Sequence, residues 1–239
     1  MDNAGYAGLT RQTGLMAQMT MLANNVANAS TTGFRAETLI FSEVVRGTGP
    51  GEESLSMGAA RVRETVMAQG ALEQTGGAFD LAVEGDGFFM VETAGGPRLT
   101  RAGHFTPNEA GDLVTPDGDR VLDAGGAPVF VPQGLGPVSV APDGTVSAGG
   151  QPVTQVGLFV PRDPDGLRRE GGTLFEAPGG VDPATGGRML QGFLEASNVQ
   201  PVLEIARLIE VQRAYELGQG LLEREDERVR KTIQAIQAR

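Results

Sequence analysis

Counted in heptads from Ile205, the positions Leu208, Tyr215, Leu222, Val229 and Ile236 are all apolar over five heptads, while those in step with Ile205 turn polar at Gln212, Gln219 and Asp226. An apolar residue at every seventh position can be buried along only one narrow seam of a long helix. Ser197 reads as its N-cap, Gln200 as the matching residue of a capping box, and Pro201 as a first-turn residue. Asp226–Arg230 and Glu227–Lys231 add acid-first pairs on the outer face. So narrow a seam does not hold a helix in water, so the segment calls for a partner helix.

The other end of the chain supplies one. From about Asp2 to Asn28, Leu9, Met16, Met19, Ala23 and Val26 follow the same spacing, broken at Gln12 and widened by Leu15 and Leu22. No charged side chain lies between Arg11 and Arg35, and Asn24, Asn25 and Asn28 stand where a water-facing helix would carry Glu and Lys. Such a helix suits packing on several sides by protein, where amides find hydrogen bonds and charges would be costly to desolvate. Gly33 is expected to take a positive φ after it, leaving Phe34 to dock as an anchor.

Between the ends, Gly and Pro punctuate short β-like runs. AFDLAVEGDGFFMVE reads as strand, turn, strand, and further turns are expected at Pro107–Gly111, Pro116-Asp117-Gly118 and Pro142-Asp143-Gly144. The expected fold is mixed α and β. Residues 1–34 give an N-terminal helix and 197–239 a C-terminal helix, the two pairing as in a coiled coil. Residues 76–196 give an antiparallel β region of one or two domains. Residues 35–75 connect them, with a loop at Gly47–Gly51 and the rest extended or a short β-ribbon.

The net charge of −11 lies wholly in residues 42–197, with 21 acids against ten bases; both ends are neutral. That surface repels nucleic acid and anionic lipid. No run of 18 apolar residues is present, so no membrane insertion is expected. The opening Met1-Asp2-Asn3 lacks a basic region, so no cleaved signal peptide is expected either. Enzyme chemistry has little to work with. There is no cysteine, and His104 is the lone histidine. Gly85 and Gly87 lack the third glycine of a dinucleotide fingerprint. The aspartates at 112, 117, 119, 123, 143, 163 and 165 fit turns and no EF-hand. No catalytic residue, cofactor, metal or small-molecule substrate is expected.

Four blocks in order along the chain resemble the flagellar rod and hook proteins: Ala23-Asn-Asn-Val-Ala-Asn continuing to Thr-Gly-Phe-Arg; Gly70-Ala-Leu-Glu-Gln-Thr with Asp80-Leu-Ala-Val-Glu-Gly-Asp-Gly-Phe-Phe; Thr100-Arg-Ala-Gly-His-Phe with Gly111-Asp-Leu-Val-Thr-Pro-Asp-Gly; and Gly192-Phe-Leu-Glu-Ala-Ser-Asn-Val with Gln212-Arg-Ala-Tyr-Glu. Within that family the short length and the opening Met-Asp-Asn-Ala-Gly-Tyr look most like the proximal-rod branch, with a distal-rod or hook-type subunit as the alternative. The resemblance implies a structural subunit, exported unfolded through the flagellar export apparatus, that assembles with other rod proteins and with copies of itself. The candidate assembly interface is then Met16, Met19, Asn24, Asn25, Val26, Asn28, Gly33 and Phe34, with Ser197, Asn198, Leu208, Gln212, Arg213, Tyr215 and Leu222. A secreted β-rich binding module would account for residues 75–190 but would leave both neutral helical ends unexplained.

Overall fold

A computed structural model describes residues 3–46, 55–132, 134 and 136–237; the loop expected at Gly47–Gly51 lies outside the described residues. The chain divides into two compact units, one comprising Met1–Ala27, Glu37–Val66 and Gln200–Arg239, the other Asn28–Ala36 and Met67–Val199.

The first unit is helical. It contains helix α1 (Asn3–Ala27), an antiparallel ribbon of β1 (Glu37–Arg46) and β2 (Leu55–Thr65), and helix α2 (Pro201–Gln237). The ribbon pairs Glu37 with Thr65 at one end and Arg46 with Leu55 at the other, with a bulge at Ile40/Phe41, so the connector is a ribbon over most of its length. The two helices run antiparallel: Gly8 lies against Leu222, Gln12 against Tyr215 and Gly218, and Asn25 against Glu204. Met21, Leu22 and Val211 form the buried centre, with Leu15, Met19, Leu39 and Leu208 packed on it.

Two details of the helical reading are corrected. The seam of α2 runs through Glu204, Leu208, Val211, Tyr215, Gly218 and Leu222, all buried or half-buried, while Ile205 and Gln212 are exposed. The expected apolar column is therefore in the seam, but its companion column lies one position earlier than Ile205. On α1 the seam is Gly8, Gln12, Leu15, Leu22 and Asn25, whereas Leu9 and Met16 are 58% and 55% exposed. Gln12 is thus part of the seam and no break in it, because its Nε2 donates to the Tyr215 carbonyl at 2.9 Å beside a residue, Gly218, that has no side chain. The start of α2 also moves. The helix begins at Pro201, whose ring disfavours helical geometry at Gln200 and which has no N–H to give. Gln200 accepts the first amides, from Leu203 and Glu204, and the Ser197 hydroxyl reaches only the Val199 amide at 3.3 Å.

The second unit is β. Its strands are β3 (Leu72–Gln74), β4 (Leu81–Glu84), β5 (Phe89–Thr93), β6 (Gly96–Thr100), β7 (Thr106–Pro107), β8 (Leu113–Val114), β9 (Arg120–Val121), β10 (Val138–Val140) and β11 (Thr145–Ala148). They continue with β12 (Gln151–Gln155), β13 (Phe159–Pro161), β14 (Arg168–Arg169), β15 (Leu174–Glu176), β16 (Val181–Pro183), β17 (Arg188–Gln191) and β18 (Phe193–Glu195). Strands β14-β15-β6-β5-β9-β8-β7 form the largest sheet; β10-β11-β12 form a second, and β13-β16, β17-β4 and β18-β3 pair separately. The β5 region explains the unbroken run Phe88-Phe89-Met90-Val91. Phe89 and Val91 enter one apolar cluster with Leu81, Phe105 and Val121, while Phe88 and Met90 enter another with Leu99, Phe159 and Phe175. Both faces are buried, so no polar alternation is needed.

Candidate assembly surfaces

Of the asparagines near the end of α1, Asn25 faces inward. Asn25 is 1% exposed and makes three hydrogen bonds. Its Nδ2 donates to the Glu37 carbonyl and to Glu204 Oε2, each at 2.9 Å, and its Oδ1 accepts from the Glu37 amide at 3.0 Å. Arg207 pairs with the other oxygen of Glu204 at 3.0 Å. One amide side chain thereby joins α1, the first residue of β1 and the first turn of α2. A carboxamide suits this place because it can donate and accept at once; Leu would strand the Glu37 backbone groups.

The next segment, Asn28–Ala36, belongs to the β unit. Gly33 has φ of +69°, and a Cβ there would lie 2.2 Å from the Ala102 nitrogen, so glycine is required twice over. Its amide donates to the Glu195 carbonyl at 2.7 Å. Phe34 is buried at 1% exposure, with the Arg169 guanidinium 4.4 Å above its ring and 4.7 Å from that of Phe175. Beside it, Arg35 Nη2 meets Glu195 Oε1 at 2.9 Å and Arg101 Nη1 meets Oε2 at 3.0 Å. Glu195 Oε1 also accepts the Gly70 amide at 2.9 Å, and Arg101 donates to the Gly85 carbonyl at 2.8 Å. Burial lowers Arg35 to about 10, with Glu195 opposing and Arg101 adding to the shift. Burial lowers Arg101 as well, against the pull of Glu195. Both remain cations at neutral pH, held by one carboxylate.

His104, the lone histidine, is half-exposed and bonded through Nδ1 to Asp80 Oδ1 at 2.6 Å; the Thr75 hydroxyl donates to Asp80 Oδ2 at 2.6 Å. Burial by itself would raise Asp80, but the hydrogen bonds from Thr75 and His104 and the histidine's charge outweigh it and hold the carboxyl below its ordinary range. An acid depressed in the folded state contributes stability that is complete above its unfolded pKa and is lost as pH falls through the folded one. Asp80→Asn is therefore expected to lower stability at pH 7 by about 1 kcal/mol and to flatten the fall in stability below about pH 4. Thermal melts from pH 7 to pH 3 check this, and parallel curves for the two proteins would count against it.

The helical unit exposes apolar side chains beside the charged ones of α2. A cleft of about 260 Å³ is lined by Leu15, Leu217 and Leu221 together with Arg11 and Gln12, and another of about 430 Å³ by Leu9, Met16 and Tyr215 together with Gln12, Thr13 and Thr20. Leu217 is 77% exposed, and Val202, Ile209, Ile233 and Ile236 are exposed along α2. The expected interface residues divide accordingly. Met16, Asn24, Gln212 and Arg213 are exposed; Met19, Val26, Leu208, Tyr215 and Leu222 are half-buried at or beside the helix seam. Asn25, Gly33 and Phe34 are buried inside the subunit, so they hold the fold together. Asn28 accepts from the Thr31 hydroxyl, Ser197 is half-buried, and Asn198 accepts the Ala36 amide at 2.6 Å. Sequence reasoning missed Gln12, Gly218 and Glu204 in the seam and Arg35, Arg101 and Glu195 in the β unit. The one available signal was Arg35, the first charge after a long uncharged run.

Comparison with known proteins agrees with this arrangement. Three family descriptions match in chain order: "Flagella basal body rod protein" over residues 6–35, "Flagellar hook protein FlgE/F/G D1 domain" over 82–148, and "Flagellar basal body rod FlgEFG protein C-terminal" over 190–235. The chain is 42% identical to the flagellar basal-body rod protein FlgF of Caulobacter vibrioides, covering 99% of this chain and 98% of that one. It is 38% identical to FlgF of Mesorhizobium japonicum over 93% of this chain and 92% of that one, and 29% identical to the rod protein FlgG of Bacillus subtilis over 95% and 97%. With matching helical ends, a matching β segment and near-complete coverage, the chain belongs to the flagellar basal-body rod and hook protein family.

Proposed function

We propose that the chain is a structural subunit of the proximal rod of the bacterial flagellar basal body, polymerising through its paired terminal helices. The observation that carries this reading is the set of exposed apolar side chains Leu9, Met16, Leu217 and Leu221 lining clefts of the helix pair, whose α1 carries no charge after Arg11. A buried aliphatic side chain contributes roughly 1.5–3 kcal/mol, so neighbours that cover these faces stabilise helices that are marginal alone. In this reading the helices pair in the manner of a coiled coil, the neighbours are other rod proteins and further copies of the chain, and the acidic β unit faces the periplasm. The subunit reaches its place unfolded through the flagellar export apparatus. Its role is mechanical, with no catalytic step.

Leu217→Asp with Leu221→Asp tests the reading. Both side chains are exposed, so the β unit should melt as in the parent, while motility and rod formation are lost in cells carrying only this variant. Normal swimming, with intact rods in electron micrographs of isolated basal bodies, would refute the helical faces as the assembly surface.

A further inference from the structure

The heptad column of α2 does not by itself fix where α1 lies along it, although a slide of one heptad would give the place of Val211 in the buried centre to Gly218. α2 has 37 residues and α1 has 25, so at 1.5 Å per residue α2 is longer by about 18 Å, more than the roughly 10 Å of one heptad. Leu208, Tyr215, Leu222, Val229 and Ile236 recur at heptad spacing along it. Sliding α1 by one heptad toward the end of α2 would exchange the Gly8–Leu222 contact for Gly8–Val229, which is equally apolar.

The polar contacts do not survive such a slide. Asn25 would leave Glu204 and face Val211, so the buried Glu204 Oε2 would lose its amide donor and the Asn25 Nδ2 one of its two acceptors. Gln12 would leave the space beside Gly218, where a Cβ would already come within 2.5 Å of its Nε2, and meet Glu225. In the observed register Gln12 keeps its bond to the Tyr215 carbonyl, although its buried Oε1 has no hydrogen-bond partner among the described residues. That orphaned oxygen is a stability penalty an apolar residue would not carry, and a polar group retained in a helix seam at such a penalty is best attested as a device for register.

We infer that Asn25 with Glu204, supported by Gln12 against Gly218, selects the register of the α1–α2 pair. Because Asn25 also binds the amide and carbonyl of Glu37, the same side chain sets the start of the β1–β2 ribbon against that register. The apolar seam supplies attraction; the amides and the carboxylate decide the alignment.

The absence of cysteine allows a direct test in the full-length chain. Gly8→Cys is combined with Leu222→Cys for the observed register, and with Val229→Cys or Tyr215→Cys for slides of one heptad either way, Leu222→Ala relieving contact in the last two. The Gly8 Cβ position lies 3.6 Å from Leu222 Cγ, so the two Cβ atoms lie between about 4 and 5 Å apart and a small adjustment brings them to the roughly 3.5–4.5 Å of a disulfide. Slow oxidation collects whichever register the paired chains occupy, and a non-reducing gel with peptide mapping reads the intrachain bridges. With Asn25 and Glu204 intact, the 8–222 bridge should exceed each of the others by on the order of tenfold or more. With Asn25→Leu and Glu204→Met, the three bridges should approach comparable yields. Continued dominance of the 8–222 bridge in that variant would overturn the inference, as would comparable or absent bridges in the intact chain. Loss of all three bridges in the variant would overturn it too, since the polar contact would then hold the helices together without choosing their alignment.

Discussion

Replacing Glu195 with alanine is expected to destabilise the β unit by about 3–5 kcal/mol. The carboxylate is 1% exposed and is the acidic partner of two buried cations, Arg35 and Arg101, at 2.9 and 3.0 Å. Without it the two guanidiniums repel each other in a site that already lowers both of their pKa values through burial. The Gly70 amide loses its acceptor as well. Among the described residues, buried Arg35 Nε and Arg101 Nε already lack a hydrogen-bond partner. Glu195→Gln keeps an oxygen for Gly70 but removes the charge, and should fall between alanine and the parent. Urea denaturation followed by far-UV circular dichroism reads the order. Fluorescence would not serve, because the chain has no Trp and its two tyrosines, Tyr6 and Tyr215, lie in the helical unit. An alanine variant within 1 kcal/mol of the parent would show that the arginines find other partners.

Phe34→Ala should rank next, at about 3–5 kcal/mol, measured in the same way. The ring is fully enclosed in the β unit beneath Arg169, so truncation leaves a cavity and takes away an aromatic face from a guanidinium. Phe34 docks after Gly33 as the sequence reading expects, and its partners are those of its own subunit. Phe34→Asp would put a carboxylate at a buried site and is expected to unfold part of the β unit, so loss of rod assembly in that variant would report on subunit folding and not on an interface. Arg169→Ala separates the contributions. It leaves the cavity unmade and should lower stability by only about 0.5–2 kcal/mol.

Much of the architecture was legible from residues alone, and the two readings of the ends show how far that goes. Heptad spacing at Leu208, Tyr215 and Leu222 is a local property, so the helix and one column of its seam followed from it. The second column did not, because choosing between Ile205 and Glu204 depends on what lies opposite. Alone, Ile205 is the better core residue; facing Asn25, Glu204 is the one that is satisfied. Gln12 shows the same dependence in reverse, since an amide breaks an apolar stripe unless the facing helix offers a carbonyl and a glycine.

The sequence by itself therefore determined the helical ends, the antiparallel β centre, the neutral helices beside an acidic middle, and the family. Periodicity, turn residues and charge are all encoded within a few positions of one another. The tertiary structure decided which face each helix buries, that Asn25 and Phe34 serve the subunit's own fold, and that one carboxylate holds two arginines. Those contacts join residues 179 positions apart at Asn25–Glu204 and 94 apart at Arg101–Glu195. A buried polar group is favourable only with its partner in place, and the chain must fold before that partner can be known.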